Sequence, residues 1–192
     1  QHVLIVSDPF IVESGLTGRV SDILTAEGIA ATTFADVQPD PTDKNVLDGL
    51  AILQENGCDG LIAVGGGSCI DTAKGISVLA TNSGSLYDFM GYDRIPEAGL
   101  PLIAVPTTAG TGSECTKVTV ITDTNRDIKM MILDPYLLPA AALVDYTLTM
   151  SMPKSLTAHV GIDTLTHGLE AYVSKKANPM TDTIALSCIA LV

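Results

Sequence analysis

The chain has 192 residues, a hydrophobic content of 46% and a formal net charge of −12. That length accommodates one full core, or one domain and part of a second. So acidic a chain repels phosphate backbones and anionic lipid, which argues against nucleic-acid and membrane-surface roles. Cys58, Cys69, Cys115 and Cys188 form no CxxC pair. Scattered thiols of this kind predict free cysteines in a reducing, cytoplasmic setting and no zinc ribbon. No apolar run reaches the ~18 residues of a membrane span. The opening QHVLIVSDPF starts inside a strand pattern without Met, and the closing SCIALV lies inside a helix pattern, so the chain is expected to be cut at both ends.

HVLIVSD (2–8) reads as a buried strand. Residues 14–27 then place Leu16, Val20, Ile23 and Leu24 on one helical face, and Gly28 stops the helix. ATTFAD (31–36) is the next strand, and QPDPT (38–42) turns into a helix over 43–56 with Val46, Leu47, Leu50 and Leu53 on one face. GLIAVGG is a strand ending in glycines, followed by a helix over 69–80. After a loop over 81–100 come four strands: LIAVP, VTVITD, IKMMIL and AALVD. From Pro153 onward the pattern is helix after helix. Strand–helix alternation predicts an α/β fold with a parallel sheet covered on both faces. The late shift divides the chain into an α/β domain over 1–150 and the start of an all-helical domain over 151–192.

In LIAVGGGSCIDTAK (61–74) three glycines follow a strand directly, and Ser68 stands at the expected helix N-cap. A backbone without Cβ atoms turns tightly there. The amides and dipole of the helix N-terminus then favour an anion such as a pyrophosphate, against the plainer reading of a tight turn. This is not a GxGxxG fingerprint. PTTAGTGSE (106–114) is a second small-residue loop after a strand, whose Thr107, Thr108 and Thr111 offer hydroxyls or simply a polar connection. Asp8 ends the first strand: a carboxylate there accepts ribose hydrogen bonds and repels a 2′-phosphate, or serves as a turn residue before Pro9.

GIDTLTHGLEAY (161–172) places Asp163 and His167 four apart on one helical face. Two readings fit, a shared divalent ion such as Zn²⁺ or Fe²⁺ and a salt-linked surface pair. His159 lies on the same stripe. Gly161 and Gly168 each cost about 1 kcal/mol against alanine inside a helix, so something is expected to pack against the backbone there.

GGGSCIDTAK, PTTAGTGSE and GIDTLTHGLEAY, in this order and separation, resemble the iron-containing (group III) alcohol dehydrogenase family over essentially the whole chain. The resemblance implies an N-terminal dinucleotide-binding domain and a C-terminal helical metal domain. It implies that Asp163 and His167 are the first two metal ligands, with two further histidines downstream of this sequence, and that His159 is not a ligand. It places the pyrophosphate of NAD on Gly66, Gly67 and Ser68, with Asp71 of the same motif in the cofactor set. Thr107, Thr108 and Thr111 match its second nucleotide loop, Lys129 a lysine near the nicotinamide ribose, and Asp8 the aspartate that favours NAD over NADP. Asp40 stands where relatives often carry Asn, which puts that contact in question.

The function so implied is reversible hydride transfer between a small primary or short-chain alcohol and NAD, with Fe²⁺ or Zn²⁺ as Lewis acid. A homodimer or higher homo-oligomer is a family expectation. The same architecture resembles glycerol dehydrogenases and dehydroquinate synthase, although DTLTH favours the alcohol branch. The rival from another class is a non-catalytic nucleotide-binding fragment, because two ligands leave a divalent ion largely open.

Overall fold

Short β-branched runs fold as strands and the segments between them as helices, in a computed structural model that describes the whole chain, Gln1–Val192. In order these are β1 (His2–Val6), α1 (Pro9–Glu13), α2 (Leu16–Ala26), β2 (Ala30–Phe34), α3 (Asp43–Glu55), β3 (Gly60–Gly65) and α4 (Gly67–Leu79). Then follow β4 (Gly91–Tyr92), β5 (Leu102–Pro106), β6 (Val118–Asp123), β7 (Ile128–Leu133), β8 (Ala141–Ala142), α5 (Lys154–Val173) and α6 (Pro179–Leu191). The chain forms two compact units: residues 1–106 with 113–145, and residues 107–112 with 146–192. The pattern of strands and helices carries no sign that loop 107–112 belongs with the later helices.

The first unit is built on a five-stranded sheet in the order β2-β1-β3-β5-β8, with every pairing parallel. A smaller sheet, β4-β7-β6, holds the antiparallel β6–β7 hairpin, so VTVITD and IKMMIL lie outside the main sheet. The first strand stops at Val6 because Asp8 caps a short helix, α1, that the sequence pattern did not reveal. Two expected core residues face solvent: Ile23 is 65% exposed and Leu47 54% exposed. The buried face of α3 instead runs through Asn45, Val46, Gly49 and Leu53. A Cβ at Gly49 would overlap Ile76 and sit 3.1 Å from Phe34, so glycine brings α3 close over the core.

Helix α4 is buried from Cys69 to Leu79 except at Asp71, and the buried stretch includes the charged Lys74. Its ammonium donates to the carbonyls of Ser113 (2.7 Å), Thr116 (2.9 Å) and Val118 (2.7 Å). Asp71, one turn earlier, accepts from Ser113 Oγ (2.6 Å) and from the Val120 amide (3.0 Å). Together they pin segment 113–120 to the helix.

In the second unit α5 and α6 pack antiparallel, with Gly168 against Ala185, Cys188 and Ile189, and Gly161 near Val192. A Cβ at Gly168 would come within 2.9 Å of Ile189 Cγ1, whereas at Gly161 the nearest atom is 3.8 Å away. The expectation of close packing holds for Gly168; at Gly161 the contact is ordinary.

Lys74→Met leaves three carbonyls, one of them fully buried, without this donor and should lower the unfolding free energy by about 3 kcal/mol, read from urea denaturation. Burial holds the Lys74 ammonium down at about 8 from an ordinary 10.5, against the opposing pull of Asp71. Between those values the unfolded chain binds more protons here than the folded chain, so stability contributed by this group rises with pH. Comparing unfolding at about pH 7.5 and about pH 9.5 should show that rise in the unaltered protein and not in Lys74→Met.

Candidate functional site

The parallel strands, taken in chain order, lie 2-1-3-4-5 across the sheet, which puts the topological switch point between β1 and β3. Ligands of open α/β sheets bind outside the carboxyl ends of strands at that point. Asp8 follows β1, and the glycine turn Gly65–Gly67 follows β3. Gly65 has φ +154°, and a Cβ there would overlap Cys69 Sγ and lie 3.5 Å from Asp8 Oδ2. Only glycine fits this cradle.

Helix α4 begins two residues earlier than the capping pattern indicates. Gly66 is the N-cap and makes no side-chain capping bond, and Ser68 lies inside the first turn. No side chain caps the start of α4, and its Cys69 and Ile70 amides turn back to the Gly66 carbonyl, so the amides of Gly67 and Ser68 are the ones that suit a phosphate. Asp8 is held beside them. Its Oδ1 accepts from the Ile11 amide (2.9 Å) and its Oδ2 from the Cys69 thiol (3.4 Å). Burial, and then the Asp8 charge, push the Cys69 thiol well up, so it stays a protonated donor. Local pattern alone assigns Cys69 no role; its position two residues past the third glycine is the available signal.

In-register pairing of Gly65 with Pro106 sets the ends of β3 and β5 side by side, so the two small-residue loops leave from neighbouring strands. Thr107 is buried, and Thr108 Oγ1 is buried with no hydrogen-bond partner. A buried hydroxyl without a partner is uncommon and marks a position where a bound polar group could be accommodated. Thr111 is already engaged within the protein. Asp71 directs both carboxylate oxygens to Ser113 and Val120, and burial raises its pKa while those bonds and Lys74 oppose the rise. In this structure it braces segment 113–120.

Asp40, in the left-handed region at φ +53°, accepts from Lys129 Nζ at 2.7 Å across 89 residues of sequence. Both side chains are exposed. The acid in place of an amide thus has a local partner, and no hydrogen bond joins this pair to Asp8 or the glycine turn.

On α5 the Asp163 carboxylate and His167 Nε2 are 3.6 Å apart and each about half exposed. That is too long for a hydrogen bond, and it leaves both donor atoms available on one face. A carboxylate and an imidazole so placed fit one divalent ion, as two of its ligands. His159 is exposed, and residues 1–192 contain no cluster of three or more His, Cys, Asp or Glu able to hold a metal. One contact went unread in the sequence: loop 107–112 seats on α5 at Gly110, where a Cβ would overlap Val160 Cγ1.

The model of iron-containing alcohol dehydrogenases matches residues 1–146, and that of the C-terminal part of the Fe-containing alcohol dehydrogenase family matches residues 157–192. Alcohol dehydrogenase 4 of Schizosaccharomyces pombe is 46% identical over all 192 residues, which cover 46% of its own length. The NAD-dependent methanol dehydrogenase of Bacillus methanolicus is 40% identical over the same residues, which cover 50% of it. The crystal structure of sulfoacetaldehyde reductase from Bifidobacterium kashiwanohense in complex with NAD⁺ superposes with a TM-score of 0.87 at 34% identity, over 100% of this chain and 50% of that one. The chain thus spans about half the length of the relatives it matches, and it belongs to the iron-containing alcohol dehydrogenase family.

Proposed function

We propose that the protein reversibly oxidises a small primary or short-chain alcohol to the aldehyde or ketone, with NAD⁺ as hydride acceptor and a divalent ion, Fe²⁺ or Zn²⁺, as Lewis acid. The observation that carries this reading is the α5 pair: Asp163 and His167 converge within 3.6 Å on an open face of a chain in this family. The NAD-dependent methanol dehydrogenase and the NAD⁺-bound reductase among the similar proteins support the cofactor.

In this reading Gly66, Gly67 and Ser68 give their amides to the pyrophosphate, and the positive end of α4 favours its charge. Asp8, already oriented by Ile11 and Cys69, accepts the ribose hydroxyls and rejects a 2′-phosphate. Thr108 gains the partner it lacks within the protein. Thr107, Thr111, Asp71 and the Asp40–Lys129 pair complete the cofactor surroundings. Asp163 and His167 hold the ion, and the remaining ligands come from outside residues 1–192, because catalytic sites use at least three protein ligands. When bound, the ion supplies stabilisation of negative charge on the alcohol oxygen and the dinucleotide supplies the hydride acceptor. The products are the carbonyl compound, NADH and a proton.

The first unit acts as the dinucleotide domain and α5 opens the helical metal domain, in a cytoplasmic homodimer or larger homo-oligomer. No helix is long and apolar enough to cross a membrane. The reading with a specific observation in its favour as an alternative is a nucleotide-binding module, since these residues alone supply only two metal ligands.

In protein expressed from its complete reading frame, Asp163→Ala should abolish metal retention and activity while NAD affinity, read by calorimetry, changes less than about threefold. Equal loss of both would contradict the division of labour. Asp8→Ala should raise the ratio of kcat/KM for NADP to that for NAD by roughly tenfold, because the carboxylate that repels the 2′-phosphate is gone.

A further inference from the structure

Within the second unit, loop 107–112 and helix α5 meet backbone to backbone. A Cβ at Gly110 would lie 2.6 Å from Thr164 Oγ1 and 2.7 Å from the Val160 carbonyl oxygen, besides overlapping Val160 Cγ1. No residue but glycine permits this approach. The helix side of the contact is itself fixed, because Thr164 Oγ1 donates to the Val160 carbonyl at 2.8 Å. Asp163 belongs to that turn of α5, and His167 lies on the next. The loop, for its part, carries the buried and unpartnered Thr108 hydroxyl two residues before Gly110. A ligand that engages Thr108 therefore bears on a loop whose backbone rests on the turn that carries Asp163.

We propose that Gly110 is a positioning residue that couples the two sites. Occupation of the loop by the ribose–pyrophosphate part of a dinucleotide sets the position of the Asp163 turn, so dinucleotide and divalent ion bind with positive linkage. This rests on the dinucleotide-plus-metal reading above. Packed contacts of this kind do not absorb displacement without moving a neighbour. Linkage also requires that each ligand strengthen the other by the same factor.

A nicotinamide ring in direct contact with the ion would create coupling without the loop. The probe is therefore ADP-ribose, which has the pyrophosphate and both riboses but no nicotinamide. The protein is expressed from its complete reading frame, and Zn²⁺ affinity is measured by competition with a chromophoric chelator, with and without saturating ADP-ribose. The expected result is a Zn²⁺ Kd about fivefold or more tighter with ADP-ribose, and the same factor on ADP-ribose affinity when Zn²⁺ is saturating. Gly110→Ala, which forces the loop off the helix, should bring the factor close to one. Val160→Ala loosens the contact from the helix side without adding an atom to the loop, and should also reduce the factor; it stands in if Gly110→Ala does not fold. If both ligands bind the unaltered protein and the factor is one, or if it survives in the variants, the coupling is overturned. Failure of ADP-ribose or Zn²⁺ to bind at all defeats the underlying reading and takes the coupling with it.

Discussion

One buried ammonium organises the first unit. Lys74 sits in a largely buried helix, and its three protons are matched by three carbonyls of Ser113, Thr116 and Val118. A buried charge of this kind is tolerable only with such complete pairing. The consequence reaches in two directions. Helix α4 is held with its glycine-headed N-terminus at the switch point of the sheet, and segment 113–120, which follows the second small-residue loop, is held to α4. Asp71 serves the same end through Ser113 and Val120. Segment 113–120 and the start of α4 are thus tied together by hydrogen bonds within the protein itself, which preorganises any ligand site built on them.

Much of the first unit was legible in the sequence because its strands are short β-branched runs bounded by glycine, proline and aspartate. What escaped did so for identifiable reasons. Helix α1 has five residues, too few for a period to show, and its cap, Asp8, reads equally well as a turn residue. The face of α3 was misread because Leu47 is apolar yet exposed, while Gly49, with no side chain to count, is the residue that faces Phe34 and Ile76. Ser68 looks like an N-cap, but the helix starts at Gly67 because Gly66 already adopts the extended capping conformation. Strand order cannot be read from a list of strands at all, and it is strand order that sets Asp8 beside the glycine turn.

The candidate site was legible by residue type and not by grouping. Asp163 and His167 follow from a four-residue spacing, and helix geometry alone brings them together. Asp40 and Lys129 are 89 residues apart and become partners only through the fold. The contact of Gly110 with α5 leaves no mark on local pattern, since a glycine in a threonine-rich loop suggests a turn and nothing about a helix 50 residues later. Lys74 carried the clearest unused signal: a charged residue in an apolar helix, one turn after an aspartate, announces a buried polar network.

The central claim is that this protein moves hydride from an alcohol carbon to NAD⁺, and isotope transfer tests it most directly. Protein expressed from its complete reading frame and loaded with Fe²⁺ is given NAD⁺ and a primary alcohol deuterated at the carbinol carbon, and the mass of the NADH formed is measured. The account predicts that the label passes to the reduced nicotinamide. Unlabelled NADH, or NAD⁺ that stays oxidised although both metal and dinucleotide are bound, would contradict it.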